Sequence, residues 1–408
     1  MEQGQRLRRG GQVARFENAE LYLELGGGAM GAGPACALMN QPVASHRQPR
    51  APAAGGAPRV WLISAYRAGE RSQILALAEA LGWPFELKEL SYRKSEFRTS
   101  LFRGSDLRGI RRQQSSRLEP PWPDLVISAG MRNEPVCRWI RAQAGGQTRI
   151  VHIGRPWATP ERFDLVITTP QYRLPEHPQV LQNSATLHRV TAPRLAAAAR
   201  VWEPEFAELP GPRIAVILGG NSGPYTLGPK AAAGIARQVN RMAQQRGGSL
   251  LVSSSARTPA RALSAFERQV SVPCYLYRWR PDDSANPYFG MLAVGDELVV
   301  TADSVSMLSE ACATGKPVYM AALGGCGYPM RPGAGSEVDF RFTALTYSWL
   351  MRIGPRRLSR DIRLVQQRLL TEGRVAWLGE DLRPATASGP SDIERAVERV
   401  RQLFSGAG

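Results

Sequence analysis

Val299-Val300-Thr301-Ala302-Asp303-Ser304-Val305-Ser306-Met307-Leu308-Ser309-Glu310-Ala311 is the stretch on which the fold depends. Its apolar, β-branched opening reads as a buried strand, and the small hydroxyl residues that follow read as the start of a helix. The first helical turn has unpaired N–H groups and the positive end of the helix dipole. With hydroxyls from Ser304 and Ser306 beside them, this tip suits a phosphate or diphosphate. Glu310 shares a face with Asp303 by its seven-residue spacing and can accept hydrogen bonds from ribose hydroxyls. The competing reading is a plain helix cap by Asp303 or Ser304, with Glu310 a solvated carboxylate.

Outward from this stretch, strand and helix alternate. In the C-terminal half, apolar runs at 213–218, 250–253, 274–277, 297–301 and 317–320 read as strands. Helical spacing fills 231–245, 260–270, 304–314, 341–352, 358–371 and 391–404. In the N-terminal half, 60–64, 85–90, 124–128, 150–153 and 163–167 read as strands, with helices near 74–81 and 134–142. Such alternation predicts α/β architecture: two Rossmann-like domains with parallel sheets facing a cleft. The expected organisation is a disordered leader over 1–57, an N-terminal Rossmann-like domain over 58–200 and a linker over 201–212. A C-terminal Rossmann-like domain over 213–375 and a helical segment over 376–408 follow. Ligands in such sheets bind outside the carboxyl ends of the strands.

Further strand-to-helix turns then become candidates. Gly219-Gly220-Asn221-Ser222-Gly223 resembles a phosphate-cradling loop, because glycines let backbone N–H groups approach an anion. It is neither a Walker A loop nor G-x-G-x-x-G. Arg257, in Ser255-Ala256-Arg257-Thr258-Pro259, can clamp a diphosphate, while Thr258 before Pro259 also fits a helix start. Trp279 can stack a base or finish a core edge. In the first half, Arg67, Gly69, Gly130 and Arg132 follow strands and form the expected acceptor side. Glu70 is the one weak candidate for a catalytic base there, against the alternative of an exposed charge in a helix's first turn.

Composition sets the outer bounds. No apolar run approaches the ~18 residues of a membrane span. Net charge is +17, yet Lys supplies only four of the 52 basic residues, so part of the excess reflects an arginine bias. An anionic partner is favoured. Nucleic acid is disfavoured, because the charge is diffuse and no nucleic-acid-binding signature is present. Five cysteines without metal or redox spacing suit a reduced, cytoplasmic setting. Residues 92–119 carry eight basic and three acidic residues among apolar ones, as a basic amphipathic helix or a loop. They are the candidate contact with an anionic membrane. No metal and no cofactor is expected.

Together, several motifs resemble the mitochondrial fission "elongated mitochondria" family. They are Arg67-Ala68-Gly69 with Gln73, Pro123 to Gly130, Arg162 to Val166, Leu187 to Thr191, Leu218-Gly219-Gly220, Ser255 to Pro259 and Asn286-Pro287-Tyr288. The most specific is Val300 to Tyr319. Ala65-Tyr66 and Thr169 to Tyr172 depart from the family's pattern. The resemblance implies a GT-B, glycosyltransferase-like fold with a nucleotide-sugar cleft. It implies that Ser304, Ser306 and Glu310 hold the donor diphosphate and ribose, with Gly219, Gly220, Arg257 and Thr258 lining the same site. A metal-independent glycosyltransferase is then expected. The alternative is a non-catalytic adaptor that recruits a fission or envelope partner at a membrane surface.

Overall fold

The computed structural model describes residues 8–9, 56–64, 67–93, 105–325, 328–331, 339–355, 359–382 and 390–405. Most of the expected leader over 1–57 lies outside these residues. Its Arg8–Arg9 form β1.

The described chain forms two compact units. The first comprises 56–166 with 399–405. It contains β2 (Val60–Ile63), α1 (Ala68–Leu81), β3 (Phe85–Lys88), β4 (Leu125–Ala129), α2 (Glu134–Gln143) and β5 (Arg149–Ile153). The chain leaves this unit through β6 (Leu165–Thr168) and then forms β7 (Val180–Gln182). The strand order is β3-β2-β4-β5-β6-β7, with parallel pairing from β3 through β5.

The second unit comprises 8–9 and 167–398. After α3 (Ala192–Phe206) come β8 (Arg213–Ile217), β9 (Tyr225–Thr226), α4 (Pro229–Arg246), β10 (Ser249–Ser253) and α5 (Ala260–Gln269). Then follow β11 (Cys274–Tyr277), α6 (Tyr288–Val294), β12 (Glu297–Thr301), α7 (Val305–Cys312), β13 (Val318–Ala321) and β14 (Gly324–Gly325). The last elements are α8 (Phe342–Ile353), α9 (Arg363–Thr371), β15 (Ala376–Trp377) and α10 (Asp392–Ser405). The main sheet runs β1-β11-β10-β8-β12-β13-β15 and every pairing in it is parallel. Ile214 to Leu218, Leu250 to Val252 and Leu298 to Val300 are buried. Strands covered on both faces need such continuous apolar runs.

Two parallel α/β sheets are therefore the architecture, as the alternating pattern predicts. One expected linker residue range differs. Residues 201–206 belong to α3, which Thr191 opens by accepting from the Arg194 N–H and which buries Ala198, Trp202 and Phe206. Pro204 falls in its last turn, where it has no N–H for the carbonyl four residues back, and the helix ends two residues later.

In both sheets the strand order reverses, beside β2 in one and beside β8 in the other. From β2 it moves outward to β3, then returns to the other side of β2 as β4. From β8 it moves outward through β10 and β11, then returns to the other side of β8 as β12. In open α/β sheets such reversals are where ligand crevices form, which here means the carboxyl ends of β2 and β4 and those of β8 and β12.

Candidate functional site

At the carboxyl ends of β8 and β12, the glycine turn and the Asp303 turn meet. The Gly219 N–H donates to Thr301 Oγ1 at 2.7 Å, and the Gly220 N–H donates to Asp303 Oδ2 at 3.0 Å. Thr301 Oγ1 donates to Asp303 Oδ1 at 2.7 Å. A Cβ on Gly219 would fall on the Asp303 carboxylate, and one on Gly220 would fall on the Arg257 main-chain carbonyl. Close approach of three loops explains both glycines. Their two N–H groups are engaged within the chain, so the loop offers a ligand a surface rather than free amides.

Asp303 is fully buried and pairs with Arg257 at 2.9 Å. Burial pushes its carboxyl upward; the Arg257 charge and the hydrogen bonds from Thr301 and Gly220 oppose that without reversing it. The Arg257 side chain remains 41% exposed and also donates to the Asn221 carbonyl at 3.3 Å. Ser255 Oγ and Thr258 Oγ1 both direct their hydroxyls at the Gly219 carbonyl, at 2.8 and 2.5 Å. Thr258 thus braces the turn. Asn221 Oδ1 accepts from the Leu227 N–H at 2.9 Å. Trp279 is partly buried against the core, and its main-chain N–H donates to Ser254 Oγ.

The tips of α4 and α7, the helices that follow the glycine turn and β12, differ. The α4 tip is capped by Asp339, whose carboxylate accepts from the Lys230 and Ala231 N–H groups at 3.2 and 3.0 Å. The α7 tip opens at Ser304 with no side-chain cap among the described residues. Ser304 is buried and Ser306, two residues on, is partly exposed. Deeper in α7, Ser309 Oγ accepts from both the N–H and hydroxyl of Thr186, at 3.0 and 2.9 Å.

Glu310 accepts a hydrogen bond from the Tyr288 hydroxyl. Burial pushes the Glu310 carboxyl up to about 7, opposed by that hydrogen bond. Burial, with the Glu310 charge and hydrogen bond, pushes the Tyr288 hydroxyl upward. Glu310 is therefore a partly buried, partnered carboxylate and not the solvated surface group of the competing reading.

Beyond the glycine turn lies an arginine–carboxylate cluster that the sequence pattern did not reveal. Buried Asp361 bridges Arg173 at 2.6 Å and Arg363 at 3.0 Å, and accepts from the Tyr328 hydroxyl at 2.9 Å. Burial alone would raise the Asp361 carboxyl, but hydrogen bonds from Arg363 and Tyr328 and the two arginine charges hold it below its ordinary value. Arg360 donates to Ser222 Oγ at 3.0 Å, and Arg341 donates to the Gly223 carbonyl at 2.6 Å.

In the first unit, the expected acceptor-side residues gather at the β2–β4 crevice. Gly130 has φ of 83°, and a Cβ there would lie 2.8 Å from Glu70 Oε2. The Glu70 carboxylate thus sits over the Gly130 turn, 3.8 Å from exposed Arg67. Gly69 lies in the first turn of α1, where its carbonyl accepts from Gln73. Arg132, partly exposed, follows the same turn. The residue that organises this crevice is buried Asn133. Its amide donates to the Ile63, Ser64 and Ala129 carbonyls at 3.3, 3.2 and 2.8 Å. Ala65-Tyr66 lies outside the described residues, as do 94–104 of the basic stretch. The described part of that stretch holds a short 3-10 turn at Arg112–Gln114 and a bridge between Tyr92 and Ile110, with no α-helix.

Comparison with known proteins adds a family. A family model described as Mitochondrial fission ELM1 matches residues 68–331. Over 244 residues, 54% of this chain, the sequence is 31% identical to the Arabidopsis thaliana mitochondrial fission protein ELM1. That match spans 57% of the Arabidopsis protein, little more than half its length. An uncharacterised protein of Rickettsia prowazekii is 23% identical over 294 residues, covering 64% of this chain and 82% of that one. Among solved structures, a UDP-GlcNAc 2-epimerase from Neisseria meningitidis bound to UDP-GlcNAc has 13% identity and a TM-score of 0.42. It covers 85% of this chain and 92% of the epimerase.

Proposed function

This chain belongs to the mitochondrial fission ELM1 family, and from that premise we propose that the β8–β12 crevice of its second unit binds a nucleotide-diphosphate sugar. The observation that carries the proposal is the contrast between the two helix tips. The α4 tip already holds a carboxylate of the chain, whereas the α7 tip, at the point of strand reversal, has no side-chain cap among the described residues. An uncapped tip at that place suits a phosphate group. Val305 and Ser306 N–H groups with the Ser304 and Ser306 hydroxyls would hold the diphosphate, and Arg257 would lie alongside it. Glu310, through the carboxylate oxygen that Tyr288 does not engage, would accept from ribose hydroxyls, and Trp279 would flank the base.

The reaction this arrangement suits is glycosyl transfer. As the bond from the sugar to the diphosphate breaks, negative charge grows on the leaving group, where N–H donors and Arg257 stabilise it.

The test is thermal and chemical unfolding with UDP- and GDP-sugars. At one hundred times Kd, a ligand of the folded state adds about 2.7 kcal/mol of stability. An unfolding curve unmoved by every nucleotide sugar, at millimolar ligand, refutes the binding proposal. A shift without release of nucleotide diphosphate in the presence of acceptor extracts keeps binding and refutes transfer.

A further inference from the structure

Around the turn at 222–226 and the start of α9, four arginines meet a single carboxylate among the described residues. Arg173 and Arg363 share buried Asp361. Arg341 donates to the Gly223 and Tyr225 carbonyls and to the Thr226 and Thr343 hydroxyls, and Arg360 donates to Ser222 Oγ. These bonds hold the turn, but every acceptor in them is neutral, so both charges stay uncompensated. Asp339, the acid nearest Arg341 in sequence, is committed to the α4 tip.

The guanidiniums also keep donors in reserve. A guanidinium has five N–H groups. Among the described residues Arg360 engages only Nη2, and Arg363 leaves Nη1 unengaged. The side chains of Arg173 and Arg363 are 29% and 31% exposed, so a solute can reach them.

A second observation comes from Tyr225. It is 2% exposed, and its hydroxyl has no hydrogen-bond partner among the described residues. Burial pushes that hydroxyl upward, and Arg363, Asp361, Tyr328 and Tyr347 are the groups that act on it electrostatically. A buried hydroxyl left unpaired is costly, so this one calls for a partner that the described chain does not supply.

Charge and donor count point to the class of that partner. A phosphate group carries a charge of about −1.5 to −2 near pH 7 and offers three acceptor oxygens. Guanidinium forks and a hydroxyl match those oxygens. A carboxylate would offset only one charge. The place is also defined: Gln366, in the first turn of α9, donates to the Ala302 carbonyl at 2.7 Å, which sets the cluster beside the Asp303 turn.

We propose that Arg173, Arg360 and Arg363, with the Tyr225 hydroxyl, bind a phosphate group, either free or as the monoester of a larger ligand. This is a second phosphate site, apart from the α7 tip. It does not rest on the nucleotide-sugar reading, and its probes contain no nucleotide.

The experiment is isothermal titration of the full chain with inorganic phosphate, glucose 6-phosphate, glucose and glucuronate at constant ionic strength. Both phosphates are expected to bind, and glucose and glucuronate are not. Equal affinity for the two phosphates assigns the site to the free ion; tighter binding of the ester assigns it to a phosphorylated ligand. Arg360→Gln should weaken both about tenfold or more, as loss of a charged hydrogen bond does. Tyr225→Phe keeps the ring and removes only the hydroxyl. It should weaken both about threefold or more while leaving the phosphate-free unfolding midpoint unchanged or higher, because no bond of the free chain is lost. A hydroxyl with a purely structural role would lower that midpoint. The proposal is overturned by no heat from either phosphate at millimolar concentration, or by glucuronate binding as tightly as phosphate. Unchanged phosphate affinity in either variant, as phosphate held at the α7 tip would give, overturns it too, as does a lower phosphate-free midpoint for Tyr225→Phe.

Discussion

Gly220 and Asp303, 83 residues apart in sequence, are joined by a hydrogen bond of 3.0 Å from the glycine amide to the buried carboxylate. The same carboxylate holds Thr301 and Arg257. It therefore fixes the glycine turn, the Arg257 loop and the entry to α7 relative to one another.

Replacing Asp303 with Ala leaves the Gly220 amide without its acceptor in a buried setting. The cost of such an orphaned group is about 1–3 kcal/mol. Urea unfolding of Asp303→Ala should show that loss. Gly220→Ala, whose Cβ would fall on the Arg257 carbonyl, should cost a similar ~1–3 kcal/mol through overpacking.

Arg257→Ala touches both stability and binding. Its guanidinium is the charge partner of the fully buried Asp303 carboxylate, so its removal leaves that charge unpaired and should cost stability at neutral pH, less so where Asp303 is protonated. Affinity for a nucleotide-diphosphate sugar should fall about 10- to 150-fold, because a charged hydrogen bond is worth roughly 1.5–3 kcal/mol. Isothermal titration of both proteins checks this.

Glu310 makes stability depend on pH with a defined sign. Its carboxyl titrates near 7 in the folded chain and near 4.5 when unfolded. The folded state therefore holds the proton more tightly, and stability falls as pH rises from about 4.5 to 7. The full effect is on the order of 3 kcal/mol. Glu310→Gln should flatten that part of the stability–pH curve, and the gap between variant and unmodified chain should be constant above pH 8.

Asp361 has the opposite sign. Its carboxyl is held below the ordinary value, so its contribution is complete above about pH 4 and disappears as pH falls through the lower folded value. Asp361→Asn strands two arginines on one partner and should cost about 3–5 kcal/mol at pH 7. The difference should shrink below pH 4, as acid unfolding monitored by circular dichroism would reveal.

Regular elements were largely legible because burial on both faces forces continuous apolar runs. Leu250 to Val252 and Leu298 to Val300 are strands for that reason. Local turn chemistry also placed the crevice, since Gly219 and Ser304 each follow a strand. What the sequence concealed were partnerships at long separation. Nothing near Asp339 signals that it caps a helix 108 residues earlier. Nothing near Tyr288 signals that its hydroxyl will meet Glu310. The glycine turn read as a set of free amides because Thr301 and Asp303, which engage them, lie more than 80 residues away. α3 was hidden for a different reason: Pro193 sits in the first turn, where proline is tolerated, but Pro204 lies inside the helix two residues from its end and reads as the start of a linker.

The knot of Gly220, Asp303, Thr301 and Arg257 has a kinetic corollary. A loop whose polar groups already satisfy one another keeps its shape without a guest, so an incoming molecule need not wait for it to reorganise. Association at that edge should proceed at a rate set by diffusion and charge steering, single-exponential and linear in ligand concentration, with differences among ligands expressed in how long each stays.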